Sequence, residues 1–354
     1  MTRLRDLGIS IGRLPTGRFN AITDVSGVLV GHATVIEDSP STVRTGVTMI
    51  VPRNNEIWTN YAFCGWHSFN GNGEMTGIPW IEESGMLGSP VGITNTHQVG
   101  MVRDALVRYG VEVGVVDGFH LPVVTETYDG WLSDIDSFRL ADPEVRAALA
   151  GAAGGPVAEG NVGGGTGMIC HEFKGGIGTS SRVVDLPMHT YTVGVLVQAN
   201  YGSRNDLRVD GVPVGRAISY DRVPAPWPAQ ERDGSIIVII ATDAPLLSDQ
   251  CRRLARRATV GLARAGGTGR NGSGDIFLSF ATGNSLAAGQ SMPYQLQMLP
   301  HEMLNELFAA VADATEEAIL NALCAAATMT GFQGRTAHAL PLDLMVDVVR
   351  SQRG

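Results

Sequence analysis

The junction between Gly234 and Ser235 combines two residue types that can support covalent chemistry. It joins a segment rich in proline and charge, Tyr220–Gly234, to a continuous apolar run, Ser235–Asp243. If the Ser235 hydroxyl attacks the Gly234 carbonyl, an N-to-O acyl shift gives an ester that water can hydrolyse. The product is an N-terminal serine, whose α-amine has an ordinary pKa of about 7.7–8.0 and can act as a base. A Gly-Ser pair also commonly turns a chain into a strand, so the local sequence leaves both interpretations open.

Two further groups of polar residues lie at the ends of apolar runs. Asn200 closes the run Tyr191–Asn200, where a buried amide needs a hydrogen-bond partner. The segment Asn271–Asp275 places Ser273 and Asp275 two residues apart, at the start of another apolar run. Both positions are also explained by turns at strand ends, because asparagine, serine, aspartate and glycine favour turns. The residues alone therefore mark candidate sites without assigning roles to them.

Glycine-rich stretches raise the question of nucleotide binding. The segment Gly267–Gly272 fits the pattern G-x-G-x-x-G, but a predicted helix precedes it and a predicted strand follows it. A dinucleotide site needs the opposite order, and the segment also lacks the lysine of a phosphate-binding loop. The eight histidines form no H-E-x-x-H motif, and no G-x-S-x-G motif is present. The patterns therefore favour neither a nucleotide-binding protein, a metallohydrolase nor an α/β-hydrolase, and we expect no metal and no cofactor.

The composition excludes several classes of partner. The chain has 354 residues, of which 44% are hydrophobic, and its formal net charge is −9. Binding to nucleic acid needs clustered positive charge, so we expect no nucleic-acid partner. The N-terminus lacks a secretory signal and no apolar run is long enough to cross a membrane, which predicts a cytoplasmic protein with no membrane partner. The four cysteines are widely spaced, as reduced core thiols would be.

Hydrophobic periodicity predicts both strands and helices. Strands are expected at Gly27–Ile36, Thr45–Val51, Val91–Thr96, Val111–Val116, Tyr191–Asn200, Ser235–Asp243 and Gly274–Ala281. Helices are expected at Gln98–Tyr109, from Asp142 to just before Gly151, at Asp249–Ala265 and at His301–Ala326. Continuous apolar strands combined with amphipathic helices indicate a layered α/β architecture. No linker interrupts the pattern, so we expect one compact domain over residues 1–354.

Long motifs occur in a fixed order along nearly the whole chain. They are Phe19–His32, Arg44–Thr48, Pro156–Met168, Phe173–Arg182, Thr192–Asn200, Gly234–Leu246, Asn271–Phe277 and Ala314–Leu323. With these motifs the chain resembles the L-aminopeptidase/D-esterase (DmpA-like) family, which includes the β-aminopeptidases. The resemblance implies a four-layer α/β/β/α sandwich. It also implies self-cleavage before Ser235 into chains 1–234 and 235–354, which stay together and assemble into a homo-oligomer of processed heterodimers.

The resemblance assigns catalytic roles to residues already noted. The nucleophile of the family falls on Ser235, so that Gly234 and Ser235 flank the cut. The supporting serine and acid fall on Ser273 and Asp275, although some relatives carry glutamate at the second position. A carboxylate there could orient Ser273 and stabilise the protonated α-amine. Asn200 falls on the oxyanion-hole residue, whose side-chain NH₂ would donate to the tetrahedral intermediate.

The resemblance also places two residues in the substrate pocket. Glu126 and Tyr128, in the segment Thr125–Gly130, match a family segment that lines this pocket. Glu126 would pair with the free ammonium group of the substrate through charge-assisted hydrogen bonds. Tyr128 would help to position the scissile carbonyl. Without the resemblance, both residues would belong to an ordinary polar loop.

Together these residues predict a self-cleaving serine hydrolase. It would release small N-terminal residues from peptides, amides or esters through an acyl-enzyme on Ser235, with no metal or cofactor. An acyltransferase of the same fold stays an alternative, because an amine acceptor competes with water for the same acyl-enzyme. An uncleaved scaffold without catalysis is a second alternative. The segments GSGD and ETYDG favour the L-aminopeptidase branch of the family. The preference for α-L, β or D residues in the substrate stays open.

Overall fold

The computed structural model describes residues 1–115, 119–187, 189–227 and 234–353. Its strands, in chain order, are β1 (Leu29–Glu37), β2 (Val43–Val51), β3 (Asn60–Gly71), β4 (Met86–Leu87), β5 (Val91–Asn95), β6 (Val123–Thr127), β7 (Ile169–Cys170), β8 (Phe173–Lys174), β9 (Gly176–Leu186), β10 (His189–Asn200), β11 (Ser235–Thr242), β12 (Gly274–Ala287), β13 (Met329–Thr330) and β14 (Thr336–Ala337). Its α-helices are α1 (Ile78–Ser84), α2 (Val99–Glu112), α3 (Asp142–Ala150), α4 (Ser248–Ala255), α5 (Ala258–Arg264), α6 (Leu304–Ala325) and α7 (Leu342–Arg353).

Two mixed sheets contain most of these strands. The smaller sheet has the order β1-β2-β5-β6, and the larger sheet has the order β4-β3-β12-β11-β10-β9. In the larger sheet β11 lies between β10, which is antiparallel to it, and β12, which is parallel to it. The remaining strands form two short ribbons, β7 with β8 and β13 with β14. The strand β11 is therefore an inner strand, with a hydrogen-bonded neighbour on each side.

The two sheets are stacked between two layers of helices. Helices α2 and α3 pack on the smaller sheet, whereas α4 and α6 pack on the larger sheet. Alternate residues of β11 point to opposite sides: Ile236 and Val238 join the core under α6, while Ile237 and Ile239 join the core shared with the smaller sheet. A strand buried on both faces needs the continuous apolar run seen in the sequence. The layers form the α/β/β/α sandwich that the family resemblance implies.

The strand directions bring distant parts of the chain to one edge of the larger sheet, namely the edge that is formed by the ends of the strands. Because β10 runs antiparallel to β11, its last residue, Asn200, pairs with Ser235, the first residue of β11. Strand β12 runs parallel to β11 and begins at the same edge, where Asp275 pairs with Ile236. Strand β6 of the smaller sheet carries Glu126 near its C-terminal end. The topology thus collects at this edge most of the residues that the sequence marks as candidates.

Most of the predicted helices are present with small shifts at their ends. The helix predicted at His301–Ala326 is α6, preceded by a short 3₁₀ turn. The helix predicted at Asp249–Ala265 is instead two helices, α4 and α5. They separate at Arg256 and Arg257, where the Arg257 N–H donates to the Leu254 carbonyl, a tighter turn than the α-helical one. The amphipathic stripe continues across this break, which explains why periodicity alone does not detect it.

The strand predicted at Val111–Val116 is wrong. Val111 lies in the last turn of α2, and the described residues after it form the turn that ends this helix. Alternating valines favour a strand, but the buried stripe of α2 continues to Gly110, and Gly114 ends the helix with a left-handed φ of +72°. Val116 lies outside the described residues. The strand of this region is β6, whose residues are all buried.

The segment before Ser235 contains no helix or strand in its described part. Residues Tyr220–Trp227 form turns and bends, in agreement with the predicted loop Tyr220–Gly234. Residues 228–233 of that predicted loop lie outside the described residues. The chain therefore enters β11 from irregular structure, as a loop-to-strand junction.

Three further findings concern possible ligands and partners. Within the described ranges, no helix is both long and apolar enough to cross a membrane. No group of three or more histidine, cysteine, aspartate or glutamate side chains in those ranges is arranged to hold a metal ion. The four cysteines are buried and free.

Candidate active site

Ser235 begins the central strand of the larger sheet. The residue is buried, with 7% of its surface exposed, and it pairs with Asn200 across the antiparallel ladder. The Gly274 N–H donates to Ser235 Oγ at 3.0 Å. This bond uses a lone pair of Oγ and leaves the hydroxyl proton free for transfer. The hydroxyl is thus held in place while keeping the proton that a nucleophile must lose.

Gly234 is glycine because the neighbouring strand passes directly beside it. A Cβ at this position would lie 2.0 Å from the Asn200 carbonyl oxygen, far inside van der Waals contact. The constraint is the close approach of two backbones. Packing therefore fixes the Gly234–Ser235 peptide bond against the end of β10.

Ser273 and Asp275 form a buried pair at the start of β12. Ser273 Oγ donates to Asp275 Oδ1 at 2.5 Å, and only 4% and 2% of these residues are exposed. Burial raises the pKa of Asp275 to about 6, while hydrogen bonds from Ser273 and from a backbone N–H of β11 oppose that shift. The pair flanks Gly274, whose N–H binds Ser235 Oγ. An acid that titrates close to neutral pH therefore lies beside the serine.

Asn200 connects the end of β10 to the start of β7 and to the residue that follows β6. Its Oδ1 accepts a hydrogen bond from the Ile169 N–H at 2.8 Å, and its Nδ2 donates to the Tyr128 carbonyl at 3.0 Å. These two bonds determine which end of the amide is oxygen and which is nitrogen. Because an amide nitrogen carries two N–H donors, Nδ2 can hold Tyr128 and still donate to a second acceptor beside Ser235.

Lys174 supports Asn200, although no sequence motif points to it. This lysine is fully buried, and its Nζ donates to three backbone carbonyls, the nearest being that of Met168 at 2.8 Å. The loop that these bonds tie together presents the Ile169 N–H to the Asn200 side chain. The signal that could have identified Lys174 is a single lysine within the glycine-rich and apolar segment FKGGIG. Buried lysines need such partners, so its role is to position the loop.

Glu126 approaches the same edge from the smaller sheet. Its Oε1 accepts from the Glu74 N–H at 3.1 Å, and its Oε2 accepts from the Thr96 hydroxyl. Burial raises the pKa of Glu126, and the hydrogen bonds from Thr96 and from the Glu74 N–H oppose that shift. A Cβ on Gly73 would lie 3.2 Å from Glu126 Oε1 and 3.2 Å from the Gly274 Cα. The Glu126 carboxylate and the backbone of Gly274, which binds the serine hydroxyl, therefore both lie next to Gly73.

Tyr128 contributes its backbone to this cluster. Its carbonyl oxygen accepts from Asn200, while the residue as a whole is 47% exposed. The ring folds over Gly130, where a Cβ would lie 2.3 Å from the Tyr128 hydroxyl oxygen. The predicted role of Tyr128 in positioning a substrate carbonyl stays a prediction.

Four of the predicted residues meet at one edge of the larger sheet, namely Ser235, Asn200, Ser273 and Asp275. A hydroxyl with a free proton, an acid that titrates near neutral pH and an oriented amide donor are the groups that covalent acyl transfer needs. Glu126 adds a carboxylate on the facing sheet. The arrangement can therefore form an acyl-enzyme, and the individual catalytic roles stay predictions.

Sequence comparisons relate the chain to known peptidases. The family described as peptidase family S58 matches residues 20–337. The β-peptidyl aminopeptidase BapA of Sphingosinicella microcystinivorans is 47% identical, over 96% of this chain and 89% of that protein. The protein of the same name from Sphingosinicella xenopeptidilytica is 42% identical, over 99% of this chain and 91% of that protein.

Two solved structures have the same fold. A β-aminopeptidase from a Burkholderia species superposes with a TM-score of 0.93 at 50% identity, covering 99% of each chain. The L-aminopeptidase D-Ala-esterase/amidase of Ochrobactrum anthropi superposes with a TM-score of 0.93 at 44% identity, over 100% of this chain and 99% of that chain. That protein is described as a prototype of the serine aminopeptidases and a variant of the Ntn hydrolase fold. These matches confirm the predicted family and fold: the chain belongs to peptidase family S58 and is an aminopeptidase with this variant of the Ntn hydrolase fold.

Proposed function

We propose that the chain cuts itself between Gly234 and Ser235 and then uses Ser235 as an N-terminal nucleophile. One observation supports this most directly: the buried Ser235 hydroxyl starts a central strand beside the buried pair of Ser273 and Asp275. A serine that only turned the chain into a strand would need neither a neighbouring buried acid nor a peptide bond packed against another backbone. The cut would give chains 1–234 and 235–354.

Self-cleavage begins, in this proposal, with attack of Ser235 Oγ on the Gly234 carbonyl carbon. The hydroxyl proton passes to the departing Ser235 nitrogen, with Ser273 and Asp275 as the groups that relay it. The C–N bond breaks, and Gly234 becomes ester-linked to Oγ. Water then hydrolyses the ester, which leaves a carboxylate on Gly234 and a free α-amine on Ser235.

The mature enzyme would use the same groups on a substrate. The α-amine of Ser235 takes the proton of Oγ as the hydroxyl attacks the substrate carbonyl. Asn200 donates to the oxyanion, and the Asp275 carboxylate stabilises the protonated amine. The amine returns its proton to the leaving group, and water releases the acyl group from the serine.

The position of Glu126 supports substrates with a free amino terminus. Its buried carboxylate is a partner for an ammonium group, and the short distance to Gly274 suits a small residue. The relatives are named β-peptidyl aminopeptidases and an L-aminopeptidase with D-Ala esterase and amidase activity. We therefore propose small peptides, amides and esters with a free N-terminal amine as the substrate class.

The location and the assembly belong to the same proposal. Four buried, free cysteines support a reducing compartment, which agrees with a cytoplasmic protein. The family resemblance supports a homo-oligomer of processed heterodimers. Light scattering of the purified protein measures the mass of the assembly. A mass of 37.4 kDa, that of one protomer, would contradict the proposed homo-oligomer.

Intact-mass spectrometry of the purified, fully incubated protein tests the proposed cut. We expect two polypeptides that end at Gly234 and begin at Ser235, and they should separate only under denaturing conditions. The same measurement distinguishes an uncleaved scaffold, which would keep the mass of 354 residues. A cut at any other bond would contradict the assignment of Ser235 as the new N-terminus.

The activity should rise with pH in two steps. Burial raises the pKa of Asp275 to about 6, so its carboxylate form, which stabilises the protonated amine, accumulates as the pH rises through that value. The α-amine must be neutral to act as a base, and its ordinary pKa is about 7.7–8.0. We therefore expect kcat/KM to increase from pH 5 to pH 8 in the mature enzyme.

The control for this profile is Asp243→Asn. Asp243 follows the other end of β11, and burial raises the pKa of its carboxyl as well. This variant should keep the wild-type profile, because Asp243 is remote from Ser235. A flat profile from pH 5 to pH 9 in the wild type would remove the α-amine and Asp275 from the mechanism.

Replacing Glu126 with glutamine should change substrate selectivity. The substitution keeps the shape of the side chain and removes the charge that would pair with an ammonium group. We expect kcat/KM for substrates with a free amine to fall by about a hundredfold, because one partner of a buried charge pair is lost. Matching analogues with an acylated amine should lose little. Glu74→Gln removes the same charge from an exposed neighbour and should leave both substrates unaffected; equal losses for both substrates in Glu126→Gln would exclude the proposed role.

A further inference from the structure

The hydroxyl of Thr96 is bonded directly to the carboxylate of Glu126. Thr96 Oγ1 donates to Glu126 Oε2, while the Glu74 N–H donates to Oε1 at 3.1 Å. Each carboxylate oxygen therefore has a protein donor that fixes its direction. An ionised carboxylate has about four acceptor positions, so two donors leave room for further hydrogen bonds. These positions are the ones that an ammonium group of a substrate would use.

The fold determines where the Thr96 hydroxyl lies. Strands β5 and β6 are parallel, and Asn95, the last residue of β5, pairs with Thr127, next to Glu126. Asn95 Oδ1 accepts from the Gln98 N–H at 3.1 Å and so caps the 3₁₀ turn that begins at Thr96. The turn therefore starts at the end of the sheet where Glu126 lies, and its first side chain reaches the carboxylate.

The bond from Thr96 also affects the charge of Glu126. Burial raises the pKa of Glu126, and among the effects that lower it the bond from Thr96 is the largest. Three neighbouring ionisable groups act on the same carboxylate. The carboxylate of Glu74 opposes its ionisation, a protonated His97 favours it, and the buried carboxyl of Asp129 interacts with it. A donor that remains neutral at every pH thus supports the anion in a buried site.

We propose that Thr96 is a positioning residue for substrate recognition, whose hydroxyl keeps the Glu126 carboxylate oriented and ionised for the ammonium group of the substrate. The inference rests on the proposed function of Glu126 and adds a second residue to it. Thr96 acts through Glu126 and takes no part in bond formation at Ser235. Because Thr96 is exposed, its side chain can be changed without disturbing the core.

Thr96→Val keeps the shape of the side chain and removes the hydroxyl. Kinetics are measured on the cleaved enzyme, with the p-nitroanilide that the wild type hydrolyses fastest among those of glycine, L-alanine, D-alanine and β-alanine. We expect KM at pH 6 to rise by about tenfold to a hundredfold, as for the loss of a hydrogen bond to a charged group. The kcat value should change little, because the ammonium contact is made before and during the chemical step.

The loss should depend on pH in a defined direction. Without the Thr96 donor the pKa of Glu126 rises further, so the variant loses its carboxylate at a higher pH than the wild type does. The ratio of the two KM values should therefore be larger at pH 6 than at pH 8. Taking this ratio removes the titration of Asp275 and of the Ser235 amine, which both proteins share. A role limited to the shape of the site would give the same ratio at both pH values.

Two matched variants serve as controls. Thr96→Ser keeps the hydroxyl and should restore the KM of the wild type. Thr190→Val removes a threonine hydroxyl that donates to Asp185 Oδ1 at 2.7 Å, at the end of β10 opposite Asn200. This control should keep the wild-type KM at both pH values. All three variants should split like the wild type and keep its melting temperature.

The same substitution in a Glu126→Gln background separates the inference from the function on which it rests. Thr96→Val should add no further rise in KM there, because both changes act on one contact. An unchanged KM in Thr96→Val, a ratio that does not vary with pH, or a loss that serine does not restore would overturn the inference, provided that Glu126→Gln alone raises KM. If Glu126→Gln leaves KM unchanged, the proposed role of Glu126 is wrong, and the inference is overturned with it.

Discussion

Ser235→Ala is expected to leave the chain uncut and without aminopeptidase activity. Alanine lacks the oxygen that would form the ester in self-cleavage and the acyl-enzyme in turnover, so both reactions lose their nucleophile. Removal of a serine nucleophile typically lowers turnover by about 10⁴-fold or more, and we expect a loss of that size. Denaturing electrophoresis and intact mass after long incubation measure the cut. Release of the N-terminal residue from a small amide measures the activity.

The Ser235→Ala chain should still fold. The Gly274 N–H loses its acceptor, which costs about 1 kcal/mol of unfolding free energy, and the rest of β11 is unchanged. Ser285→Ala is the matched control, since its exposed hydroxyl donates to Asn60 Oδ1 at 3.1 Å. That control should split and turn over like the wild type. A Ser235→Ala chain that still splits after Gly234 would show that another group is the nucleophile.

Asn200→Ala is expected to lower kcat by about 10²–10³-fold with little change in KM, as the loss of an oxyanion donor does. The Nδ2 group of Asn200 is oriented by its bond to the Tyr128 carbonyl, and Ile169 fixes its oxygen. The donor therefore needs no reorganisation when negative charge develops on the substrate carbonyl. Steady-state kinetics on the cleaved fraction of the variant measure this effect. The rate of self-cleavage should fall as well, because the same donor would face the Gly234 oxyanion.

Gln198→Ala separates a catalytic role of Asn200 from a structural one. Gln198 is a buried amide two residues earlier on the same strand, and its Nε2 donates to the Thr94 carbonyl at 2.9 Å. Its loss should lower the melting temperature, because a buried carbonyl is left without a donor. The cleaved fraction should keep a kcat near that of the wild type. If Asn200→Ala behaves in the same way, its side chain holds loops together and does not stabilise the oxyanion.

The central strands are readable from the sequence because burial on both faces leaves an unbroken apolar run. The run Ser235–Asp243 predicts β11 nearly to its ends, and Tyr191–Asn200 predicts β10. The long motifs identify the family, and the comparisons confirm it. A local pattern gives a wrong prediction where the same pattern fits both a helix and a strand. The valines of Val111–Val116 alternate as in a strand, but the described part of that segment completes helix α2. The strand that follows α2 along the chain is β6.

In the candidate site too, some residues can be found from the sequence and others only from the structure. The sequence marks Ser235, Asn200, Ser273 and Asp275 as residues of interest through their place at the ends of apolar runs and their match to the family. It does not reveal Lys174, whose function depends on the carbonyls that surround it.

By itself, the sequence determined that Gly234 and Ser235 join an irregular segment to a buried strand in an aminopeptidase of a known family. Only the tertiary structure decided what surrounds that junction. The antiparallel pairing of β10 with β11 and the parallel pairing of β11 with β12 bring Asn200 and Asp275 to the serine. Burial at that edge then raises the pKa of Asp275 to about 6, and close packing requires glycine at position 234. These properties come from desolvation and from contacts between distant strands, which no local pattern of residues encodes.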